Sequence, residues 1–70
     1  MFKLAIKTDN AAFEPDDETE TIMPGEMARI LRKLADGFAD GERTGVPIAV
    51  GEGGPVFDIN GNRVGEWTLS

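Results

Sequence analysis

The sequence predicts one small α+β domain, residues 1–70, in which an amphipathic helix packs on a three- to four-stranded antiparallel sheet. Three observations support this fold. The N-terminus alternates apolar and charged residues, a central segment repeats apolar residues at helical spacing, and the C-terminal third places an Asn-Gly pair between two β-prone runs. The predicted order is β-α-β-β with an optional short edge strand, and no linker is long enough to divide the chain into two domains.

The first strand is predicted at the N-terminus. Phe2, Leu4 and Ile6 fall on one side of the chain and Lys3 and Lys7 on the other, which is the pattern of a strand with one buried face. No apolar run is long enough for a signal peptide or a transmembrane span, and the chain has no cysteine. We therefore expect a cytoplasmic protein that does not bind membranes.

A helix is predicted in the middle of the chain. Its apolar stripe follows i, i+4, i+7, i+8 spacing and consists of Met23, Met27, Ile30, Leu31, Leu34 and Phe38. Thr21 is the predicted N-cap, with Pro24 and Glu26 in the first turn. Gly41 is predicted to end the helix after Asp40.

Two segments connect the helix to the C-terminal hairpin. Residues 46–50 are apolar and include β-branched side chains, which favours a short strand, and Pro47 places that strand at a sheet edge. The glycine-rich residues 51–55 are predicted to form a flexible connection.

The Asn60-Gly61 pair is the strongest short-range hairpin signal in the chain, and two registers compete around it. In a type I′ turn at Asn60-Gly61, Phe57 faces Val64. Trp67 then joins the same face only if Gly65 forms a bulge.

The second register has a type I turn from Asp58 to Gly61, with Gly61 in the left-handed conformation. Phe57, Trp67 and Leu69 then share one face without a bulge. We favour this register because it needs one irregularity fewer. The core predicted from all of these elements consists of Phe2, Leu4, Ile6, Met27, Ile30, Leu31, Leu34, Phe38, Phe57, Val64 and Trp67.

The residue inventory argues against an enzyme. The chain has no His, Cys or Tyr, and its only serine is Ser70, so nucleophile and base cannot be paired. Its carboxylates crowd into a polar segment, where nothing indicates the burial that separates the pKa values of an acid–base pair. We therefore expect no catalytic residues.

Two motifs imitate ligand sites without completing them. Asp58-x-Asn60-x-Asn62 resembles the start of an EF-hand loop, but its glycine is misplaced and Leu69 stands where a bidentate Glu is required. The glycines of residues 51–54 lack the Lys-Ser/Thr pair and the helix of a phosphate loop. We therefore expect neither a metal nor a cofactor.

The charge balance limits the choice of partner. Thirteen acidic and seven basic residues give a net charge of -6, which disfavours direct binding to nucleic acid. Arg29, Arg32 and Lys33 share the exposed helix face with Asp36, and such a face is typically solvated. An electrostatic partner should therefore be basic.

The most distinctive feature is a stretch between the first strand and the helix, residues 9–20, which we call the acidic segment. It contains no Lys or Arg, and its carboxylates belong to Asp9, Glu14, Asp16, Asp17, Glu18 and Glu20. The commonest explanation of such a stretch is a solvated loop. The alternative is that the carboxylates mimic DNA phosphates, which carry one charge per about 1.7 Å of duplex.

Three stretches carry a resemblance: Met1–Thr8, Ala28–Ala35 and the hairpin Asp58–Trp67. Together they resemble small phage- and prophage-encoded proteins over nearly the whole chain except residues 46–55. Only the Asn-Gly hairpin with Val-Gly-Glu-Trp is specific, and it implies a fold more than an activity. A phage origin would imply inhibitors of host machinery, including anti-CRISPR proteins that occupy nucleic-acid sites.

The leading hypothesis is a phage-encoded, anti-CRISPR-like inhibitor that docks on a basic surface of a host protein or nucleoprotein complex. The acidic segment supplies the contacts as a DNA mimic, with Asp40 and Glu42 as additions. Phe13 is the candidate apolar anchor, and the alternative is that Phe13 closes over the core. The second hypothesis is a phage structural or accessory protein that forms a homodimer through a sheet edge at Val46–Val50.

Overall fold

A computed structural model describes all 70 residues and confirms the α+β fold. The elements are β1 (Phe2–Ile6), a 3₁₀ turn (Ala11–Phe13), α1 (Gly25–Thr44), β2 (Gly53–Phe57) and β3 (Arg63–Leu69). The three strands form one antiparallel sheet in the order β1-β3-β2. One face of the sheet packs against α1, and the strand residues of the other face are exposed.

Helix α1 begins at Gly25, directly after Pro24, and Glu26 lies in its first turn as predicted. The prediction that Thr21 caps the helix is wrong. Thr21 instead exchanges backbone hydrogen bonds of 2.9 and 3.2 Å with Asp16. This bridge holds Thr21 in the chain before the helix, where it cannot reach the helix amides.

The predicted helix end at Gly41 is also wrong, because α1 continues to Thr44. Gly45 ends the helix in the left-handed conformation at φ 75°, which glycine adopts without strain. Gly41 lies inside the helix, and Val46, which follows the helix end, contacts it. The Val46 amide donates to its carbonyl at 3.0 Å, and the Val46 oxygen would lie 3.6 Å from a Cβ at this position.

The predicted edge strand at Val46–Val50 does not form. Its end is tied into a turn, since the Glu52 amide donates to the Ala49 carbonyl at 3.1 Å. β2 instead covers residues 53–57 and takes in part of the predicted flexible connection. Pro55 is tolerated there because β2 is an edge strand, which need not use every amide in pairing.

The hairpin contains the favoured turn. The Gly61 amide donates to the Asp58 carbonyl at 3.1 Å, and Gly61 has φ 84°. Asn60 does not have a positive φ, which a type I′ turn would require. The turn from Asp58 to Gly61 is therefore confirmed.

The prediction that this register has no bulge is wrong. Val56 pairs with Gly65 but Phe57 pairs with Arg63, so Val64 is the extra residue on β3. Val64 is consequently buried, whereas Phe57 is 47% exposed and does not share the face of Trp67.

The core is smaller than predicted and includes residues from outside the predicted set. Its fully buried apolar members are Phe13, Ile30, Val56 and Val64. Around them pack the partly buried Leu4, Ile6, Ala12, Ile22, Met27, Leu34 and Trp67. The prediction that Met23 belongs to the helical stripe is wrong, because Met23 lies before α1 and is exposed. Leu31 lies in α1 but is exposed, so the apolar stripe of the helix is wider than the face that α1 buries.

Phe2 and Phe38 lie at the edge of this core rather than inside it. Their rings meet edge to face at 5.7 Å, and both contact Trp67, at centroid distances of 5.9 and 5.1 Å. Trp67 in turn lies over Gly54 of β2, where a Cβ would approach the indole nitrogen to 2.7 Å. This aromatic trio joins α1 to all three strands.

Candidate functional site

Asp58 organises the hairpin turn from a buried position. Its carboxylate accepts hydrogen bonds from the Asn60 and Asn62 amides at 2.9 and 2.8 Å, and from the Asn62 and Asn10 side chains at 3.1 and 2.9 Å. Burial raises the pKa of Asp58, but these donors outweigh burial and leave the pKa below its ordinary value. The segment that resembles a calcium loop is therefore a turn, and both carboxylate oxygens of Asp58 accept hydrogen bonds from the chain itself.

Glu26 forms the second buried carboxylate site. Arg29 donates to it from Nε at 2.5 Å and from Nη2 at 3.2 Å, and the Ile59 amide donates at 2.8 Å. The hydrogen bond from Arg29 lowers the pKa of Glu26 most strongly, against the opposing effect of burial. Arg29 also donates to the Phe57 carbonyl at 3.4 Å, so it is partly buried, whereas Arg32 and Lys33 of the same face are exposed.

These two carboxylates hold the fold together and offer little chemistry. Their lowered pKa values keep both ionised near neutral pH, so neither carries a proton to donate. The chain holds no group of three acidic, His or Cys side chains placed to bind a metal ion. No helix is both long enough and apolar enough to cross a bilayer.

The acidic segment has a defined shape. The Asn10 side chain accepts a hydrogen bond from the Ala12 amide at 3.0 Å and caps the 3₁₀ turn. Farther along, the bridge between Asp16 and Thr21 closes a short loop, and the Asp16 carboxylate accepts the Glu18 amide at 3.0 Å. Its charges are therefore presented on a folded loop.

The carboxylates of the acidic segment are exposed and have no ionic partner. All six of its acidic residues are exposed. The ion pairs of the chain lie elsewhere, between Arg29 and Glu26, Arg43 and Asp40, and Arg63 and Glu66. The negative charge of this segment is therefore uncompensated within 4 Å.

Asp40 and Glu42 do not join this surface. The acidic segment lies at the N-terminal end of α1, because the Met23 amide donates to the Phe13 carbonyl at 3.0 Å. Asp40 and Glu42 occupy the last turns of the helix, about 20 Å away along its axis. The candidate acidic site is thus limited to residues 9–20.

Phe13 is completely buried and packs in the core. This agrees with the alternative that it closes over the core, and it leaves Phe13 no surface to offer a partner. The exposed apolar side chains at this end of the molecule are Met23 and Ile59. Ile59 lies there because its amide is tied to the first turn of α1.

A second surface feature is an open groove of about 600 Å³ between α1 and β2. Its apolar walls come from Ile30, Leu34, Phe38, Val46, Pro47, Ile48, Val56, Phe57 and Trp67. Lys33 lies on the helix wall, and Glu52 lies at the start of the opposite wall. No sequence pattern indicated this groove, because three segments that are distant in sequence form it.

Comparison with known proteins gives no relative: no protein-family model, no curated protein and no solved structure matches this chain. The resemblance to small phage-encoded proteins therefore stays a prediction. The geometry of the chain's own residues carries the functional conclusion.

Proposed function

We propose that this chain is a small acidic binding protein that docks on a basic surface of a host nucleic-acid-binding complex and keeps nucleic acid away. The observation that carries the proposal is the acidic segment, whose six exposed carboxylates lack any cation within ion-pair distance. A phage-encoded, anti-CRISPR-like inhibitor is the specific class we propose, because the acidic segment suits a basic nucleic-acid site and the resemblance to phage-encoded proteins implies inhibitors of host machinery.

The lack of ionic partners matters for the physics of docking. A carboxylate already paired with Lys or Arg contributes little field to its surroundings, whereas unpaired carboxylates sum to a negative patch. Such a patch raises the association rate and selects basic partners more than it raises affinity. The field reaches only about 8 Å at physiological ionic strength, so docking should weaken as salt increases.

Affinity also requires an apolar contact. Phe13 is buried, so we assign this role to Met23 and Ile59, which are 57% and 67% exposed. Met23 lies three residues after the acidic segment, and Ile59 is joined to Glu26 in the adjacent first turn of α1. The proposed contact surface thus combines the acidic segment with two apolar side chains at one end of the molecule.

The second hypothesis, a self-associating accessory protein, depends on a strand that does not form. An accessory protein that pairs through a strand at Val46–Val50 needs that strand, and the residues form a loop instead. No observation favours strand pairing there.

The test uses a variant in which Asp17, Glu18 and Glu20 are replaced by Lys. Asp16 is left unchanged because its carboxylate holds the loop. The matched control replaces Asp36, Asp40 and Glu42 by Lys, which changes net charge equally in the C-terminal half of α1. Tagged proteins are used to capture a partner from host extract, and labelled duplex DNA is then competed against the captured complex.

We expect the wild-type chain and the control to capture the same nucleic-acid-binding complex and to displace DNA from it. The acidic-segment variant should fail in both steps while keeping a wild-type circular dichroism spectrum. Equal loss of binding by both variants would show that net charge alone is responsible. Capture without DNA displacement would overturn the blocking mechanism.

A further inference from the structure

The chain exposes more surface than a folded monomer of its mass. Its accessible area is 5243 Å², whereas a folded monomer of 7.5 kDa typically exposes about 4,200 Å². Its radius of gyration is 13.8 Å, compared with about 11 Å for a typical domain of this length. The surplus of about 1,000 Å² is close to the roughly 800 Å² that each partner buries in a standard interface.

Part of the exposed apolar surface lies along the groove between α1 and β2. Val46, Ile48 and Phe57 line it and are 65%, 41% and 47% exposed, and Val50 continues the apolar loop at 76%. A largely apolar cleft of this kind on a small protein is typical of a surface that another molecule covers.

The charges on the groove favour a second copy of this chain as the molecule that covers it. Lys33 on the helix wall and Glu52 on the opposite wall each lack an ionic partner, and the Glu52 carboxylate accepts a hydrogen bond from the Ala49 amide. Because a two-fold axis makes every contact reciprocal, Lys33 of each copy can meet Glu52 of the other and form two ion pairs. The groove is therefore complementary to itself in charge as well as in apolar character.

Strand pairing is the less suitable way to join two copies. Pro55 in the middle of edge strand β2 has no amide to donate, and Arg29 already donates to the Phe57 carbonyl. An interface at this edge must consequently rely on side-chain packing.

We infer that the groove is the interface of a two-fold symmetric homodimer, held by its apolar walls and by reciprocal Lys33–Glu52 pairs. The acidic segment contributes no residue to the groove. Both acidic segments therefore remain exposed in the dimer, which would present two docking surfaces to a partner.

The apolar part of the interface is tested with Val46→Asp and a control, Met23→Asp, which places the same charge on a similarly exposed apolar site outside the groove. Molar mass is measured by light scattering over a concentration series, with circular dichroism to check folding. We expect the wild type and Met23→Asp to be dimeric and Val46→Asp to be monomeric. A wild type that stays monomeric up to about 1 mM overturns the proposal.

The reciprocal pairing is tested with Lys33→Glu and Glu52→Lys. Each variant alone places like charges together at both pairs, so we expect its dimer dissociation constant to rise at least about tenfold. An equimolar mixture restores both pairs between unlike copies, and it should dimerise as tightly as the wild type. A mixture that stays as weak as the separate variants would overturn the pairing. If Glu52→Lys does not fold, the test rests on Lys33→Glu and Val46→Asp. Loss of the dimer in these two variants supports the proposal, and a dimer that persists in both overturns it.

Discussion

The Ile59 amide donates a 2.8 Å hydrogen bond to Oε2 of Glu26, joining the first turn of α1 to the turn between β2 and β3. One residue away, Asp58 binds the side chain of Asn10 at the start of the acidic segment. Three parts of the chain that are distant in sequence are therefore fixed at one end of the molecule. This end also carries the proposed contact surface, so its stability and its function are linked.

Replacing Glu26 by Ala should lower the midpoint of thermal unfolding clearly. The change leaves the Arg29 guanidinium and the Ile59 amide without their shared acceptor, and partly buried donors are costly to leave unsatisfied. Glu42→Ala is the control, because Glu42 is exposed on the same helix and has no ion pair. Thermal unfolding of both variants is monitored by circular dichroism. Equal unfolding midpoints for the two variants would contradict the role of Glu26.

Stability should fall at acidic pH. The pKa values of Glu26 and Asp58 in the folded chain lie below their ordinary values of 4.5 and 3.8. The stabilisation they provide is therefore complete above those ordinary values and is lost as pH falls through the lower folded values. Urea unfolding from about pH 7 to about pH 2 should show this loss. A double variant, Glu26→Gln with Asp58→Asn, should be less stable near neutral pH and should lose less stability as the pH falls. If its loss of stability at acidic pH equals that of the wild type, other carboxylates cause the loss.

Phe13→Ala should destabilise the domain far more than Phe57→Ala. Phe13 is completely buried, and such a truncation typically costs about 3 to 5 kcal/mol, which is much of the stability of a small domain. Phe57 is about half exposed, so its truncation should cost less than about 1.5 kcal/mol. Denaturant unfolding of both variants measures the difference, and the opposite order would place the core elsewhere.

Two glycine substitutions should act in opposite directions. A Cβ at Gly65 would lie 1.9 Å from the Ala5 carbonyl oxygen of the neighbouring strand, so Gly65→Ala should disrupt the pairing of β1 with β3. Gly37 lies in α1 with nothing within 4 Å of its Cβ position. Gly37→Ala should therefore stabilise the chain by about 1 kcal/mol through helix propensity. Thermal unfolding measures both changes. If the two substitutions shift the unfolding midpoint in the same direction, this account of the space around Gly65 and Gly37 is wrong.

Local patterns predicted the elements better than their ends. The alternation in β1, the apolar spacing in α1 and the Asp58–Gly61 turn are each encoded within a few neighbouring residues. The helix end differs from the prediction because Gly41 and Gly45 are both local stop signals and the chain uses Gly45, whose positive φ lets the Val46 amide reach the Gly41 carbonyl. The bulge at Val64 likewise depends on which face the helix covers.

The candidate surfaces likewise divide into features that follow from local sequence and features that depend on tertiary packing. Exposure of the acidic segment follows from its composition, since unpaired carboxylates are costly to bury. Phe13 lies in that polar stretch, and its burial depends on α1 and on strands far along the chain. The groove requires the helix, the 46–50 loop and β2 to be placed together, which no single segment encodes.

The most direct measurement is the association rate with the captured partner at low and high salt, for the wild type, the Asp17, Glu18 and Glu20 reversal, and the control reversal at Asp36, Asp40 and Glu42. We predict that wild type and control associate rapidly and slow steeply as salt increases. The acidic-segment reversal should associate at least about tenfold more slowly at low salt and depend little on salt. If that reversal instead keeps the wild-type rate and salt dependence, the acidic segment is not the docking surface.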